Sequence, residues 1–212
     1  MSWPLPPRLY VSGTDTDVGK TVCSALLCAL GGYTYWKPVQ AGRPTDRERV
    51  SALAGVPTLP EVWLLDRPAS PHAAARDQGL RISPEALRLP AVERLLVEGA
   101  GGWCVPYAED PLRFQAEIVR ALGLPVLVVA RSGLGTLNHS FLTLRALKQD
   151  GIDCIGLLLV GPPHPENERD LGRWCARVWG RVDRVEDLEA SFPSLLASLA
   201  KQILAQQIGA AP

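Results

Sequence analysis

One stretch decides the fold: Gly13-Thr14-Asp15-Thr16-Asp17-Val18-Gly19-Lys20-Thr21. The apolar run 8–12 before it indicates a buried strand, and the run 22–30 after it, which a glycine pair ends, indicates a helix. A glycine-bearing loop between a strand and a helix offers backbone N–H groups and a helix N-terminus to an anion. Lys20 is expected to reach the β- and γ-phosphates, and the Thr21 hydroxyl to ligate Mg²⁺. The stretch therefore predicts a site for a nucleoside triphosphate with its magnesium ion.

The loop departs from the generic phosphate-loop pattern by one position. In G-x-x-x-x-G-K-[ST], counting back from Gly19 puts the first glycine at Thr14, while Gly13 stands one residue earlier. The plain alternative is an ordinary turn between a strand and a helix. The intact Gly-Lys-Thr end, with a strand before it and a helix after it, favours the phosphate site.

The rest of the chain alternates between apolar runs and helix-forming stretches. Continuous apolar runs are typical of strands buried on both faces of a parallel sheet, and such strands are expected at 33–37, 95–98, 126–130 and 155–160. Helices are expected near 111–122, 136–149, 166–178 and 191–208. The alternation predicts a single domain over 1–212 of the α/β class: a doubly wound, mostly parallel sheet flanked by helices, like that of P-loop NTPases. The proline-rich segment 56–92 is expected to be an irregular excursion.

Polar residues that follow predicted strands are site candidates, because ligands bind at the carboxyl ends of parallel strands. Glu98 ends a buried strand and precedes Gly99-Ala100-Gly101-Gly102, so a cation is a good reason for its burial. The alternative is a carboxylate that caps the next turn. Lys37 ends another strand and would hold an anion or a transferring phosphoryl group, or else lie on the surface. The segment 131–138 is the third such position.

Three further side chains are weaker candidates. On spacing alone, Asp46 at a predicted helix start is more often an N-cap than a metal ligand. His72 and His139 are isolated histidines, which are more often structural than functional.

Composition argues against several classes of protein. Lys+Arg and Asp+Glu both number 22, so nothing attracts the chain to a nucleic acid or a membrane surface. The five cysteines include no close pair, and we expect free thiols that act as small apolar residues. The start has no signal-peptide core, and no apolar run has the length of a membrane helix. We expect a cytoplasmic protein.

Five blocks together resemble dethiobiotin synthetase, the penultimate enzyme of biotin synthesis. They occur in that family's order, span 8–160, and include the extended phosphate loop as the family's own variant. The blocks are the 13–21 loop, Lys37-Pro38-Val39-Gln40, Ser70-Pro71-His72, Val97-Glu98-Gly99-Ala100-Gly101-Gly102 and Leu134-Gly135-Thr136-Leu137-Asn138-His139.

The resemblance implies an ATP-dependent ring closure on 7,8-diaminononanoate. One amine takes up CO₂ as a carbamate, which attacks the γ-phosphate. The other amine then attacks the carbamic-phosphoric anhydride and closes the cyclic urea of dethiobiotin. The family is a homodimer with its sites at the interface.

The resemblance also implies roles by position. Lys37 would bind the carbamate and stabilise the transferring phosphoryl group, with Thr16 and Lys20 contacting carbamate and phosphate. Thr21, Asp46 and Glu98 would hold Mg²⁺, which raises Asp46 from cap to ligand. Nucleotide contacts are expected from Gly13, Thr14, Asp15, Asp17, Val18, Gly19, Val22, Gly101, Val160, Gly161, Asp183 and Val185. Substrate contacts are expected from Ala41 and, in the partner subunit's turn, from Gly135, Thr136 and Asn138.

Two positions depart from the family pattern. Ala41 stands where the family commonly has Ser or Thr, so Gln40 or water is left to replace that hydroxyl. Val160-Gly161 stands where many members have Asn-Asp, and the asparagine there reads adenine. Base recognition would then come from backbone groups around 182–185, and other triphosphates become candidates beside ATP.

Three rival classes fit less well. Switch ATPases of the partitioning and septum-site kind resemble Lys-Gly-Gly-x-Gly-Lys-Thr, with a cross-dimer lysine where this chain has Asp15. The amidation enzymes of cobalamin synthesis need an added glutaminase domain, for which 212 residues leave no room. A binding module without catalysis does not explain Lys37 together with Glu98.

Overall fold

The architecture is a parallel sheet between two layers of helices. In the computed structural model, residues 3–174 and 176–208 are described. Seven parallel strands form the main sheet in the order β11-β10-β9-β1-β6-β2-β4. Their bounds are Arg8–Gly13 (β1), Thr34–Trp36 (β2), Thr58–Leu59 (β4), Leu95–Glu98 (β6), Val126–Arg131 (β9), Cys154–Val160 (β10) and Val178–Val182 (β11).

Four short strands lie outside that sheet. Val39–Ala41 (β3) pairs in parallel with Trp63–Leu65 (β5). Ala108–Glu109 (β7) and Leu112–Arg113 (β8) form an antiparallel hairpin.

Helices cover both faces of the sheet, as a parallel sheet with continuous apolar strands requires. One apolar core lies under α1, α2 and α7, and the other under α3, α4, α5 and α6. The helices are Lys20–Gly31 (α1), Asp46–Ala54 (α2), Pro71–Asp77 (α3), Gln115–Leu122 (α4), Thr136–Gln149 (α5), Pro165–Trp174 (α6) and Leu188–Ile208 (α7). The predicted fold class is confirmed.

The observed elements differ most from the predicted ones in three places. The helix expected from 111 begins at Gln115, because the hairpin of β7 and β8 comes first. The helix expected to reach 178 ends at Trp174, and Val178–Val182 is an edge strand in which Val178, Trp179 and Val182 are residue types that favour strands. The excursion 56–92 contains α3, in which Pro71 stands at the first helical position, where proline is favoured.

The position of strand β1 in the sheet determines where the site lies. Its neighbours are β6 on one side and β9 on the other, so the sheet grows outward from it in both directions. The carboxyl ends of β1, β6 and β2 therefore bring the phosphate loop, Glu98 and Lys37 to one edge, where such sheets bind their ligands.

Cysteine burial partly follows the expectation. Cys23 and Cys28 are buried and free, and burial raises the pKa of the Cys23 thiol to about 12, so it acts as an apolar residue. Cys104, in contrast, is exposed. Cys175 lies outside the described residues. Within the described part of the chain, no helix is both long and apolar enough to cross a membrane.

Candidate active site

A cleft of about 920 Å³ opens at the carboxyl edge of the sheet. It is bounded by the phosphate loop, by the ends of β2 and β6, by the start of α2 and by the segment 182–188. Of the residues predicted from the sequence, those that line it are Thr16, Asp17, Gly19, Lys20, Thr21, Val22, Lys37, Ala41, Asp46, Glu98, Gly101, Val160, Asp183 and Val185.

Several predicted residues support the loop without lining the cleft. Gly13 and Val18 are buried, and a Cβ on Gly13 would lie 2.9 Å from Val18 Cγ2. The Thr14 backbone N–H donates to the Val129 carbonyl at 3.0 Å, and the Asp15 carboxylate accepts from the Thr16 backbone N–H at 2.7 Å. These contacts fix the loop from behind, so Gly13, Thr14, Asp15 and Val18 support its shape.

The phosphate loop is preorganised by Gly19. Its φ is 101°, a left-handed conformation that favours glycine, and a Cβ there would lie 3.1 Å from the Val160 methyl carbons. Helix α1 starts at the next residue, so its free N–H groups face the cleft. The Lys20 ammonium donates to the Asp15 carbonyl at 2.9 Å. Burial lowers the pKa of Lys20, and the charge of Glu98 only partly offsets this, so an incoming phosphate would restore a counter-charge.

Lys37 lies between two carboxylates. Its ammonium pairs with Asp46 and lies 3.5 Å from Glu98 Oε1. Burial alone would lower the pKa of Lys37, but the charges of Glu98 and then Asp46 outweigh it, and the pKa lies above its ordinary value. Lys37 is therefore a cation at neutral pH, and the interpretation of it as a surface lysine is wrong because the side chain is buried.

Glu98 is buried with all of its charge inside the protein. Its Oε1 accepts from the Thr21 hydroxyl at 3.0 Å, and its Oε2 accepts from the Tyr35 hydroxyl at 3.1 Å. The predicted metal ligands Thr21 and Glu98 are thus in direct contact, and Lys37 joins Glu98 to Asp46.

Asp46 is not an N-cap. The cap of α2 is Thr45, whose side chain accepts from the Glu48 backbone N–H. The Glu48 carboxylate in turn accepts from the Thr45 backbone N–H. Asp46 is the first residue of the helix, and its carboxylate is free to turn to Lys37. The cap interpretation failed because Thr45, the residue that precedes Asp46, is itself a strong cap.

Gln40 has a role that the sequence did not reveal. Its side-chain amide donates to the carbonyls of Ala41 and Gly42 at 3.2 and 3.3 Å, and its oxygen accepts from the Asp46 backbone N–H at 3.2 Å. Gln40 therefore positions Asp46. Because its side-chain amide already has these three partners, it is not free to replace the Ser or Thr hydroxyl that is missing at Ala41.

A buried polar network fixes the glycine loop 99–102. Gln115 Oε1 accepts from the hydroxyls of Tyr10 and Ser12, both at 3.2 Å, and Gln115 Nε2 donates to the carbonyls of Ala100 and Gly102 at 3.0 and 2.5 Å. A Cβ on Gly102 would lie 3.3 Å from the Thr14 carbonyl oxygen, so the glycine loop packs directly on the phosphate loop. No local pattern marks Gln115, which lies 103 residues from Ser12.

The segment 131–138 does not line the cleft, although a site was expected there. Gly135 is the N-cap of α5 with a φ of 91°, and Asn138 is exposed. Thr136 is buried, and its hydroxyl lies 3.5 Å from the Ser140 hydroxyl. Gly135, Thr136 and Asn138 therefore do not contribute to the cleft of their own subunit.

The far end of the cleft is apolar with charged edges. Val160 and Val185 line it, while the Gly161 carbonyl accepts from Arg181 Nη1 at 2.6 Å. The Asp183 carboxylate pairs with Arg181. At Val160-Gly161, accordingly, no side chain offers a hydrogen bond to a base.

The two histidines stay outside the site. His72 Nδ1 lies 3.2 Å from the Pro106 carbonyl oxygen, and this contact ties α3 to the segment before the hairpin. His139 is exposed on α5.

Comparison with known proteins points in one direction. Residues 7–191 match the family model of an AAA domain. The ATP-dependent dethiobiotin synthetase of Rhodopseudomonas palustris is 43% identical over 195 residues, which cover 87% of this chain and 91% of that protein. The enzyme of the same name from Afipia carboxidovorans is 48% identical over 169 residues, covering 76% of this chain and 80% of that protein.

Solved structures show the fold alone, because their sequence identities are low. A putative plasmid partition protein of Borrelia burgdorferi bound to AMPPNP has a TM-score of 0.55 at 8% identity, covering 98% of this chain and 100% of that one. The MinD cell division protein of Aquifex aeolicus has a TM-score of 0.53 at 13% identity, covering 97% and 98%.

Gly99→Ala tests the packing behind the glycine loop. A Cβ on Gly99 would lie 2.5 Å from the Tyr10 hydroxyl oxygen and closer still to Gln115 Oε1. We expect a loss of about 1–3 kcal/mol in the free energy of unfolding, measured by urea denaturation, because neither group can move without breaking its hydrogen bonds. Gly172→Ala in α6 is the control, since no heavy atom lies within 4 Å of its Cβ position, and it should unfold no more easily than wild type. Equal stability of the two variants would contradict the tight packing.

Proposed function

The chain belongs to the family of ATP-dependent dethiobiotin synthetases, and we propose that its ring closure takes place in the cleft between the phosphate loop and the cluster of Lys37, Asp46 and Glu98. The family resemblance expected from the sequence is confirmed, and with it a ligase that forms carbon–nitrogen bonds at the expense of ATP. The observation that carries the proposed site is the buried Lys37 ammonium held between two carboxylates beside the phosphate loop.

The triphosphate would lie along the start of α1. The α1 N-terminus and the Lys20 ammonium would receive its phosphates, and Thr16 and Asp17 line the cleft beside them. Val160, Asp183 and Val185 line its far end, which leaves them for the ribose and base.

The donor set of the cluster fits Mg²⁺. The described residues contain no group of three or more His, Cys, Asp or Glu side chains suited to a metal ion. Mg²⁺ rarely needs such a cage, since it is commonly bound by one or two carboxylates with phosphate oxygens and water. Thr21, Asp46 and Glu98 would hold it, and when bound it would neutralise charge on the β- and γ-phosphates.

Lys37 would act on the anionic substrate. One amine of 7,8-diaminononanoate adds to CO₂ and loses a proton to give a carbamate, whose oxygen attacks the γ-phosphorus as ADP leaves. The second amine then attacks the carbonyl carbon of the carbamic-phosphoric anhydride and loses a proton, inorganic phosphate leaves, and the cyclic urea closes. Because Lys37 is buried and protonated, its ammonium can hold the carbamate and offset the charge on the transferring phosphoryl group. Thr16 and Ala41 line the same part of the cleft.

We further propose that two copies of the chain complete each site. Leu134 and Leu142 are exposed on either side of Gly135–Asn138, which does not line the cleft of its own subunit. A second copy would cover these leucines and receive the α5 N-terminus, whose partial positive charge suits the substrate carboxylate. A cytoplasmic location is part of the same proposal.

The switch-ATPase alternative has less support. The partition and septum-site proteins share the fold at 8–13% identity, which says nothing about their reaction. Asp15 occupies the place of their cross-dimer lysine and is bonded within its own loop.

The direct test of the function is product formation. With 7,8-diaminononanoate, bicarbonate, Mg²⁺ and ATP, we expect dethiobiotin by mass spectrometry; no product with any common triphosphate would contradict the proposal.

Lys37→Ala should lower kcat by about a hundredfold or more while ATP affinity changes little, since one charge-stabilising donor is lost. Lys201→Ala, on the exposed face of α7, should behave as wild type. Unchanged turnover in Lys37→Ala would remove Lys37 from the mechanism.

Base selectivity is expected to be weak. Val160-Gly161 offers no side-chain hydrogen bond to a base, and apolar contacts of this kind separate similar ligands by only about 10–200-fold. We expect CTP and GTP to support product formation with kcat/KM within that factor of ATP. A preference for ATP of ten-thousandfold would show that another group reads the base.

The dimer proposal predicts that disruption of the interface weakens binding of the diamine more than binding of ATP. Leu142→Glu should shift the sedimentation coefficient towards the monomer and raise the KM for the diamine more than the KM for ATP. Leu112→Glu changes an equally exposed leucine on β8 and should do neither. A Leu142→Glu protein with normal mass and KM values would place the interface elsewhere.

A further inference from the structure

We infer that Tyr35 is a positioning residue for Glu98, holding the carboxylate in the orientation that a metal ligand needs. Tyr35 touches no part of the cleft itself and acts through its buried hydroxyl. The inference rests on the proposed function, because it takes Glu98 to be a ligand of the magnesium ion.

The sheet register brings the two side chains together. Tyr35 on β2 pairs with Leu96 on β6, and side chains of paired residues in parallel strands project from the same face. Glu98 lies two residues beyond Leu96 and so projects from that face as well. The long phenol ring covers this step along the strand, and its hydroxyl reaches Glu98 Oε2 at 3.1 Å. A shorter side chain at this position could not do so.

The two oxygens of Glu98 have different partners. Oε1 accepts from Thr21 and lies 3.5 Å from the Lys37 ammonium. In the proposed reaction Thr21 also binds Mg²⁺, and Lys37 also binds the carbamate. Oε2 accepts from Tyr35, its one donor among the described residues. When Thr21 and Lys37 turn to ligands, the Tyr35 contact is the one that stays with the carboxylate.

A fixed carboxylate matters because the side chain has free rotation about its last bonds. Partners that hydrogen-bond a metal-ligating group set its orientation, and their loss typically weakens metal binding by about 10–100-fold. Tyr35 is completely buried, so water has no ready path to replace its hydroxyl. The alternative is that Tyr35 only fills the core between the sheet and α1.

Tyr35→Phe separates these two roles because it removes the hydroxyl and keeps the ring. The matched control is Tyr33→Phe: Tyr33 is also completely buried, and its hydroxyl donates to the Pro6 carbonyl at 2.8 Å and accepts from the Trp3 indole at 3.0 Å, away from Glu98. Mn²⁺ replaces Mg²⁺ as the probe, with free Mn²⁺ measured by electron paramagnetic resonance in the presence of a non-hydrolysable ATP analogue. The affinity for that analogue without metal and the thermal unfolding midpoint are measured in parallel.

We expect the Mn²⁺ Kd to rise by about tenfold or more in Tyr35→Phe and to stay at the wild-type value in Tyr33→Phe. Metal-free nucleotide affinity should be unchanged in both, which also shows that the cleft is folded whatever the unfolding midpoint. In the assay, excess Mg²⁺ should restore the kcat of Tyr35→Phe. Equal Mn²⁺ affinity in the two variants, or a kcat that Mg²⁺ does not restore, would overturn the positioning role.

Glu98→Gln distinguishes failure of this inference from failure of the proposed site. If Glu98→Gln binds Mn²⁺ as tightly as wild type, Glu98 is not a ligand and the proposed metal site is wrong. If it binds more weakly while Tyr35→Phe does not, only the inference about Tyr35 is wrong. Adding Tyr35→Phe to Glu98→Gln should cause no further loss, because the hydroxyl acts through the carboxylate; an additive loss would mean an independent effect.

Discussion

The burial of the Glu98 carboxylate is the constraint on which the cleft depends. An ion taken out of water costs several kcal/mol unless charges and hydrogen bonds around it compensate. The strands meet this demand by bringing a cation and two hydroxyls to one point: Lys37 from the end of β2, Tyr35 from within it and Thr21 from α1. The cluster that makes the carboxylate tolerable inside the protein is also the one suited to a metal ion and an anionic substrate.

Much of the fold and of the candidate site could be predicted from the sequence because the patterns that indicate them are local. A strand, a glycine loop and a helix follow one another along the chain, and a charged residue directly after an apolar run marks a strand end, which is how Lys37 and Glu98 were found. Tyr35, Gln40 and Gln115 carry no such mark. Tyr35 reads as one more strand residue until the register of β2 against β6 is known.

The remaining errors have the same origin. Two-residue strands such as β7 and β8 are too short for a periodic pattern, so the start of α4 was placed too early. The edge strand β11 was not predicted, and the helix before it was extended to 178, because Gly180 and Arg181 interrupt its apolar pattern and the strand depends on pairing with β10 and packing on α7. Fold similarity alone does not identify the function, since a cell division protein and a plasmid partition protein share this sheet.

Lys37 gives the two carboxylates of the cleft a counter-ion from within the chain. Lys20 and Lys37 supply two positive charges and Asp46 and Glu98 two negative ones, so these four side chains sum to zero before any ligand arrives. Like charges within the group still repel, Lys20 against Lys37 and Asp46 against Glu98, but the two ion pairs of Lys37 offset that repulsion. The cluster is therefore an internal salt: a reactant that binds Lys37 has to replace its contacts with Asp46 and Glu98, so binding exchanges one ion pair for another.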